Sequence, residues 1–98
     1  MSGGRRYYVY VVELVSRGAR PDLYVGSSAL PPWRRFMEHT RPGSPGSRYV
    51  RHRGVRLLPR LYAGLNPLPS RQAAQRAEGR LRRMLEDEGF KVYGSWRY

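Results

Sequence analysis

Ninety-eight residues suffice for one domain with a single modest core. Nineteen Lys and Arg against seven Asp and Glu give a net charge of +12, a surface that favours polyanions, nucleic acid above all. The lack of cysteine excludes disulfides and cysteine-ligated zinc, and no apolar run approaches the ~20 residues that a bilayer-spanning helix needs.

All the basic residues except Lys91 are arginine, which fits either a GC-rich genome or a preference for bidentate phosphate contacts. The basic amino terminus runs into an apolar stretch, but Glu13 interrupts it and no small-residue cleavage site follows, so it does not read as a signal peptide. The expectation is a cytoplasmic protein of a bacterium or archaeon.

In chain order, residues 1–6 read as a basic tail. Tyr7 to Val15 is rich in Tyr and Val and reads as a strand apolar on both faces: Tyr8, Tyr10 and Val12 on one, Val9, Val11 and Leu14 or Val15 on the other. Ser16 to Asp22 carries Gly18 and Pro21 and reads as a turn into a second strand, Leu23 to Ser27, antiparallel to the first. Pro31 and Pro32 suit a first helical turn. In the helix that follows, through His39, Trp33, Phe36 and Met37 form the expected core face, while Arg35 and His39 share roughly the opposite one. Arg41 to Gly54 reads as a basic loop full of breakers. Val55 to Tyr62 contains Pro59 and reads as an edge strand at best, and Ala63 to Pro69 as a linker. Ser70 is an N-cap for a helix from Arg71 to about Glu88, with an apolar arc of Ala73, Ala74, Ala77, Leu81, Met84 and Leu85. Gly89 suits its C-cap, Phe90 to Tyr93 a last short strand, and residues 94–98 a tail. The expected fold is α+β, with residues 7–93 forming one domain. Its core would be a small antiparallel or mixed three-stranded sheet flanked by helices, in the order β-β-α-β-α.

Cutting a phosphodiester needs charge stabilisation at phosphate, a water that loses a proton, and help for the leaving oxygen. Two-metal nucleases need clustered carboxylates, which this chain lacks. Glu78, at the edge of the late helix's apolar arc, is its one well-placed carboxylate. With Tyr10, Tyr24, Arg35 and His39 it suits a single-ion mechanism in which phenol or imidazole moves the proton.

Tyr8-Val9-Tyr10 followed by Tyr24-Val25-Gly26 resembles the paired signature of the GIY-YIG endonucleases. Arg35 and His39 match that family's Arg-xxx-His helix and Glu78 its glutamate helix, so the resemblance covers residues 6 to 88. Tyr8 replaces the family's first glycine, and the asparagine that some members carry near the carboxyl terminus has no counterpart. The overall form is similar to that of small stand-alone members. The resemblance implies Glu78 as ligand of one Mg²⁺ or Mn²⁺, Tyr10 or Tyr24 positioning or deprotonating the attacking water, Arg35 on the scissile phosphate and His39 assisting proton transfer. Arg82 would be the family's basic residue after the glutamate. Gly26 would keep the strand end open to a ligand.

Candidate nucleic-acid contacts are Arg34, Arg41, Arg48, Tyr49, Arg51, Arg53 and Arg82. The expected partner is DNA, with RNA and a homodimer left open, and repair, recombination and mobile-element roles all compatible.

Taken singly, each feature has a bland explanation. The tyrosines serve strands, Arg35 and His39 a solvated face, and Glu78 and Arg82 an i,i+4 pair like Arg34 and Glu38. A catalytically inactive nucleic-acid-binding module on the same scaffold is the alternative function, and a small ribonucleoprotein component the plainest.

Overall fold

In a computed structural model, the described residues are 6–41 and 47–94. Strands β1 (Tyr8–Leu14) and β2 (Asp22–Ser28) pair antiparallel along their whole length, with Tyr10 opposite Gly26 and Val12 opposite Tyr24. β3 (Gly54–Leu57) adds antiparallel to β1, and β4 (Val92–Gly94) adds parallel to β2, giving the order β3-β1-β2-β4. The sheet is therefore mixed and has four strands, not three. The closing segment becomes the fourth strand because it returns from a helix lying along the sheet, beside the outer edge of β2.

The unbroken register between β1 and β2 fixes which side chains share a face. Tyr8, Tyr10, Val12 and Leu14 lie with Asp22, Tyr24 and Gly26 on one face; Val9 and Val11 lie with Leu23, Val25 and Ser27 on the other. Leu14 thus sits with the tyrosines, not with Val9. Both faces are covered, so Val9, Val11, Val12, Leu14, Leu23 and Val25 are fully buried. Each is worth roughly 1.5–3 kcal/mol by removal of apolar surface from water.

The tyrosine face is covered by α1 (Pro32–Thr40) and α2 (Arg48–Arg53), the opposite face by α3 (Arg71–Asp87). Helix α2 lies in the stretch expected to be all loop. The Ser47 hydroxyl caps it by accepting from the N–H groups of Tyr49 and Val50, and fully buried Val50 anchors it to the core. The remainder of that loop, residues 42–46, lies outside the described residues, as do residues 1–5 of the expected amino-terminal tail and 95–98 of the carboxyl-terminal one.

Helix α1 is rotated from its expected setting. Trp33 and Met37 are each 60% exposed and Phe36 is only half-buried, whereas His39 is 1% exposed. An apolar arc normally turns inward, but here the facing sheet presents tyrosines, whose hydroxyls give polar helix residues partners.

Helix α3 starts and ends as its sequence suggests. Ser70 Oγ accepts from the Ala73 N–H at 3.0 Å, a cap worth about 1 kcal/mol. Gly89 adopts φ +97°, and Arg20 reaches from the hairpin turn to donate to the Glu88 carbonyl at 2.6 Å while stacking over Phe90. Met84, expected in the apolar arc, is exposed.

The linker also has structure. Asn66 bonds both the N–H and the carbonyl of Val9 at 2.8 Å, and Leu68 pairs with Tyr7, so this segment extends the edge of β1 where β3 stops. β3 itself is short: Pro59 opens a 3₁₀ turn, Pro59–Leu61, in the middle of the expected strand.

Candidate active site

Tyr10, Tyr24 and His39 form one buried aromatic cluster under α1, with ring centroids 5.8–6.2 Å apart in every pairing. Gly26 makes room for it. A Cβ there would lie 2.6 Å from Tyr10 Oη and 3.0 Å from Tyr24 Cε1, so the space a side chain would take is filled by the phenols. This differs from the expected opening toward a ligand. A Gly26→Ala variant is expected to push Tyr10 off its partner and to lose about 1–3 kcal/mol of stability in urea titration, the cost of overpacking a site that cannot yield.

The hydrogen bonds of His39 define its tautomer. Its Nδ1 accepts from the Ser47 backbone N–H at 2.6 Å, so the proton of the neutral ring is on Nε2, which donates to Tyr10 Oη at 2.8 Å. Burial, with Arg35 and Arg51 nearby, lowers the His39 pKa to about 4, so the ring is neutral near pH 7. With both nitrogens engaged, His39 has no lone pair to offer a water. Its geometry makes it a fixed donor that holds Tyr10 instead of the proton carrier expected.

The Tyr10 hydroxyl in turn spends an acceptor site on His39 and keeps its own proton to donate. Burial holds that phenol protonated far above the usual tyrosine range; Tyr24 and Glu78 act in the same direction, and Arg35 opposes them. Tyr10 is thus a hydrogen-bond donor at neutral pH, suited to holding a water or a phosphate oxygen.

Because the folded pKa of His39 is depressed, the native state binds its proton only near pH 4, while the unfolded chain takes one up near pH 6.5. Its contribution to stability is therefore complete above about pH 6.5 and lost as pH falls toward 4. His39→Phe is expected to flatten this acid limb in thermal melts. It should also cost about 2–4 kcal/mol at pH 7, since the Tyr10 hydroxyl and the Ser47 N–H both lose a buried partner.

Arg35 is partly exposed and ion-paired with Glu38 through Nη1 at 2.8 Å. The pair expected for Glu38 was Arg34. Arg35 wins because it shares the inward side of α1 with His39, close enough to Tyr10 to favour its ionised form.

Glu78 enters from the other face of the sheet. It is 3% exposed, and its Oε1 accepts from Ser27 Oγ at 2.7 Å; Arg82 has an ion pair with Glu86 at 4.0 Å. Burial raises its pKa, against the Ser27 hydrogen bond and the charge of Arg82. Strand β4 pairs β2 only as far as Val25. Among the described residues, no strand pairs with β2 beyond that point. The charge of Glu78 reaches Tyr10 from the opposite face of the sheet.

Of the expected nucleic-acid contacts, Arg34, Arg41, Arg48 and Tyr49 are exposed. Arg53 is instead built into the fold: it donates to the Val15 carbonyl at 2.7 and 3.0 Å and pairs with Asp22. Arg51 and Arg82 are half-buried. Ser27 and Ser47 were not anticipated. Each is an ordinary serine in a local pattern, and its partner lies on a different element.

Comparison with family models, curated proteins and solved structures returns no match to this chain.

Proposed function

We propose that this chain is a metal-dependent endonuclease of the GIY-YIG kind, hydrolysing phosphodiester bonds in DNA. The observations that carry the reading are Tyr10, Tyr24 and His39 packed together with Arg35 beside them, and the buried carboxylate of Glu78, held on the opposite face of the same strand by Ser27, whose charge reaches Tyr10.

The donor set suits one hard cation. Among the described residues no three His, Cys, Asp or Glu cluster, so Glu78 is the residue that would hold Mg²⁺ or Mn²⁺, with water and substrate oxygens completing its shell. Ser27 holds one carboxylate oxygen, and the ion would take the other. Burial makes the charge of Glu78 costly, and a divalent cation would offset that cost. When bound, such an ion supplies charge neutralisation at phosphate and activation of water.

The chain's own residues do the rest. Arg35 exchanges Glu38 for a phosphate oxygen, a bidentate partner that its planar fork fits. Tyr10, held by His39, donates its hydroxyl proton in a hydrogen bond to the attacking water or a phosphate oxygen and fixes its approach. Tyr24 packs against both rings and limits their movement.

The test is incubation of labelled duplex, flap, branched and single-stranded DNA, and of RNA, with Mg²⁺, with Mn²⁺ and with EDTA. Metal-dependent nicks in one or more substrates support the reading; intact substrates throughout refute it. A catalytically inactive nucleic-acid-binding module is the second reading, favoured by the thin donor set and the +12 charge. Salt-dependent binding that is unchanged in Glu78→Gln, with no cleavage by wild type, would establish it.

A further inference from the structure

The face that carries the buried cluster continues outward to the edge of the sheet. In the parallel pairing of β2 with β4, Tyr24 stands beside Tyr93, so Tyr93 is the next aromatic on the same face. Tyr49 of α2 lies against Tyr93 with ring centroids 4.6 Å apart and planes tilted by 34°. Tyr49 is 43% exposed, an unusual setting for a large ring already in contact with another. Cations gather at the same place. Lys91 and Arg53 lie 5.4 and 5.2 Å from the Tyr93 ring centre, and the two cations lower the pKa of its hydroxyl. Beside them opens a depression of about 580 Å³ lined by Arg17, Asp22, Arg53, Lys91 and Tyr93. Its one carboxylate, Asp22, is already paired with Arg53, so the depression has a net positive charge.

We propose that the Tyr49–Tyr93 pair and this basic depression form a second subsite, which binds an unpaired nucleotide flanking the bond to be cut. The base extends the stack on Tyr49, and the phosphate lies against Lys91 and Arg17. This rests on the nuclease reading for its substrate, but not for its physics. A stacked duplex has its base faces covered, whereas an unpaired base offers a face to a ring, and cations beside that ring hold the backbone. Tyr24 belongs to both the cluster and this row, so the subsite lies next to the proposed catalytic cluster along β2. The substrate class is therefore DNA with a single-stranded segment, a flap, overhang or fork, in preference to blunt duplex.

The experiment is fluorescence anisotropy in EDTA, in a Glu78→Gln background, so that cleavage plays no part. The probes are a fluorescein-labelled oligothymidylate of about a dozen residues and a blunt duplex of the same length, a span that covers one compact single-strand site. Tyr49→Ala is expected to weaken oligothymidylate binding by about 5- to 100-fold, the loss of one stacked base, and duplex binding by less than about 2-fold. Tyr49→Trp should retain the single-strand affinity. Tyr49→Leu, which keeps apolar bulk against Tyr93, should fall with the alanine variant, and matching circular dichroism for the two separates lost stacking from lost folding. Equal losses on both probes, or no loss on either, would overturn the subsite. Selective loss without metal-dependent cleavage by wild type would leave the subsite standing and remove the nuclease reading; cleavage without selective loss would do the reverse.

Discussion

Glu78→Gln is expected to abolish metal-dependent cleavage while leaving the protein folded, and at alkaline pH more stable than wild type. The amide oxygen still accepts from Ser27 Oγ, so the contact that seats the side chain survives. What disappears is the anionic oxygen available to a divalent ion. Lewis-acid assistance worth several kcal/mol, at 1.36 kcal/mol per factor of ten, corresponds to a rate loss of about 10³-fold or more. The stability effect follows from burial. Its raised pKa means that the folded state holds the Glu78 proton to higher pH than the unfolded chain does. Stability is therefore full below the ordinary carboxyl pKa and declines as pH rises through the folded one. The glutamine variant cannot ionise, so its melting temperature should increasingly exceed that of wild type as pH rises above the ordinary carboxyl pKa and through the raised one. Millimolar Mn²⁺ should reverse part of the wild-type deficit and leave the variant unmoved, because only a native state with the carboxylate has a site for it. Equal cleavage by the two proteins would remove Glu78 from the chemistry.

Arg35→Ala is the second large effect, expected to slow cleavage by about 10²- to 10³-fold, as for loss of one preorganised donor to a developing charge. Little stability should go with it. The guanidinium is partly exposed, and its partner Glu38 lies on the same helix, where such pairs are worth a few tenths of a kcal/mol. Arg35→Lys should recover only part of the rate, since a point charge cannot reproduce a bidentate contact. Glu38→Gln offers a test in the opposite direction. With its competitor gone, Arg35 should meet phosphate more readily, and the apparent KM should fall. Single-turnover measurements separate the roles: a variant that only binds more weakly, with an unchanged rate at saturation, would make Arg35 a contact to the backbone and no part of the reaction.

Much of the scaffold is legible residue by residue. Tyr-Val alternation, the Gly and Pro of the turn, Ser70 and Gly89 mark two strands and the long helix to within about two residues, because these are local preferences of the backbone. The candidate site is legible in its membership but not in its wiring. Tyr10, Tyr24 and His39 do come together, yet the tautomer of His39 depends on an N–H eight residues away, and Glu78 depends on a serine fifty-one residues away. No local pattern carries such information.

The rotation of α1 shows the physical reason. Read alone, Trp33, Phe36 and Met37 are an apolar arc and should be buried. Against a tyrosine-lined sheet, inward placement of His39 satisfies the hydroxyl of Tyr10 and the backbone of Ser47, and Trp33 and Met37 turn out while Phe36 keeps to the edge of the core. Helix α2 and strand β4 are similar: six and three residues cannot hold their conformation alone, and both exist because buried Val50 and the edge of β2 receive them. By itself, then, the sequence determined a basic α+β chain, its hairpin and its long helix, since charge and short-range backbone preference travel with the residues. The tertiary structure alone decided which helix face turns inward, which strand closes the sheet and how far that strand runs, since those depend on hydrogen-bond partners that only folding brings into reach.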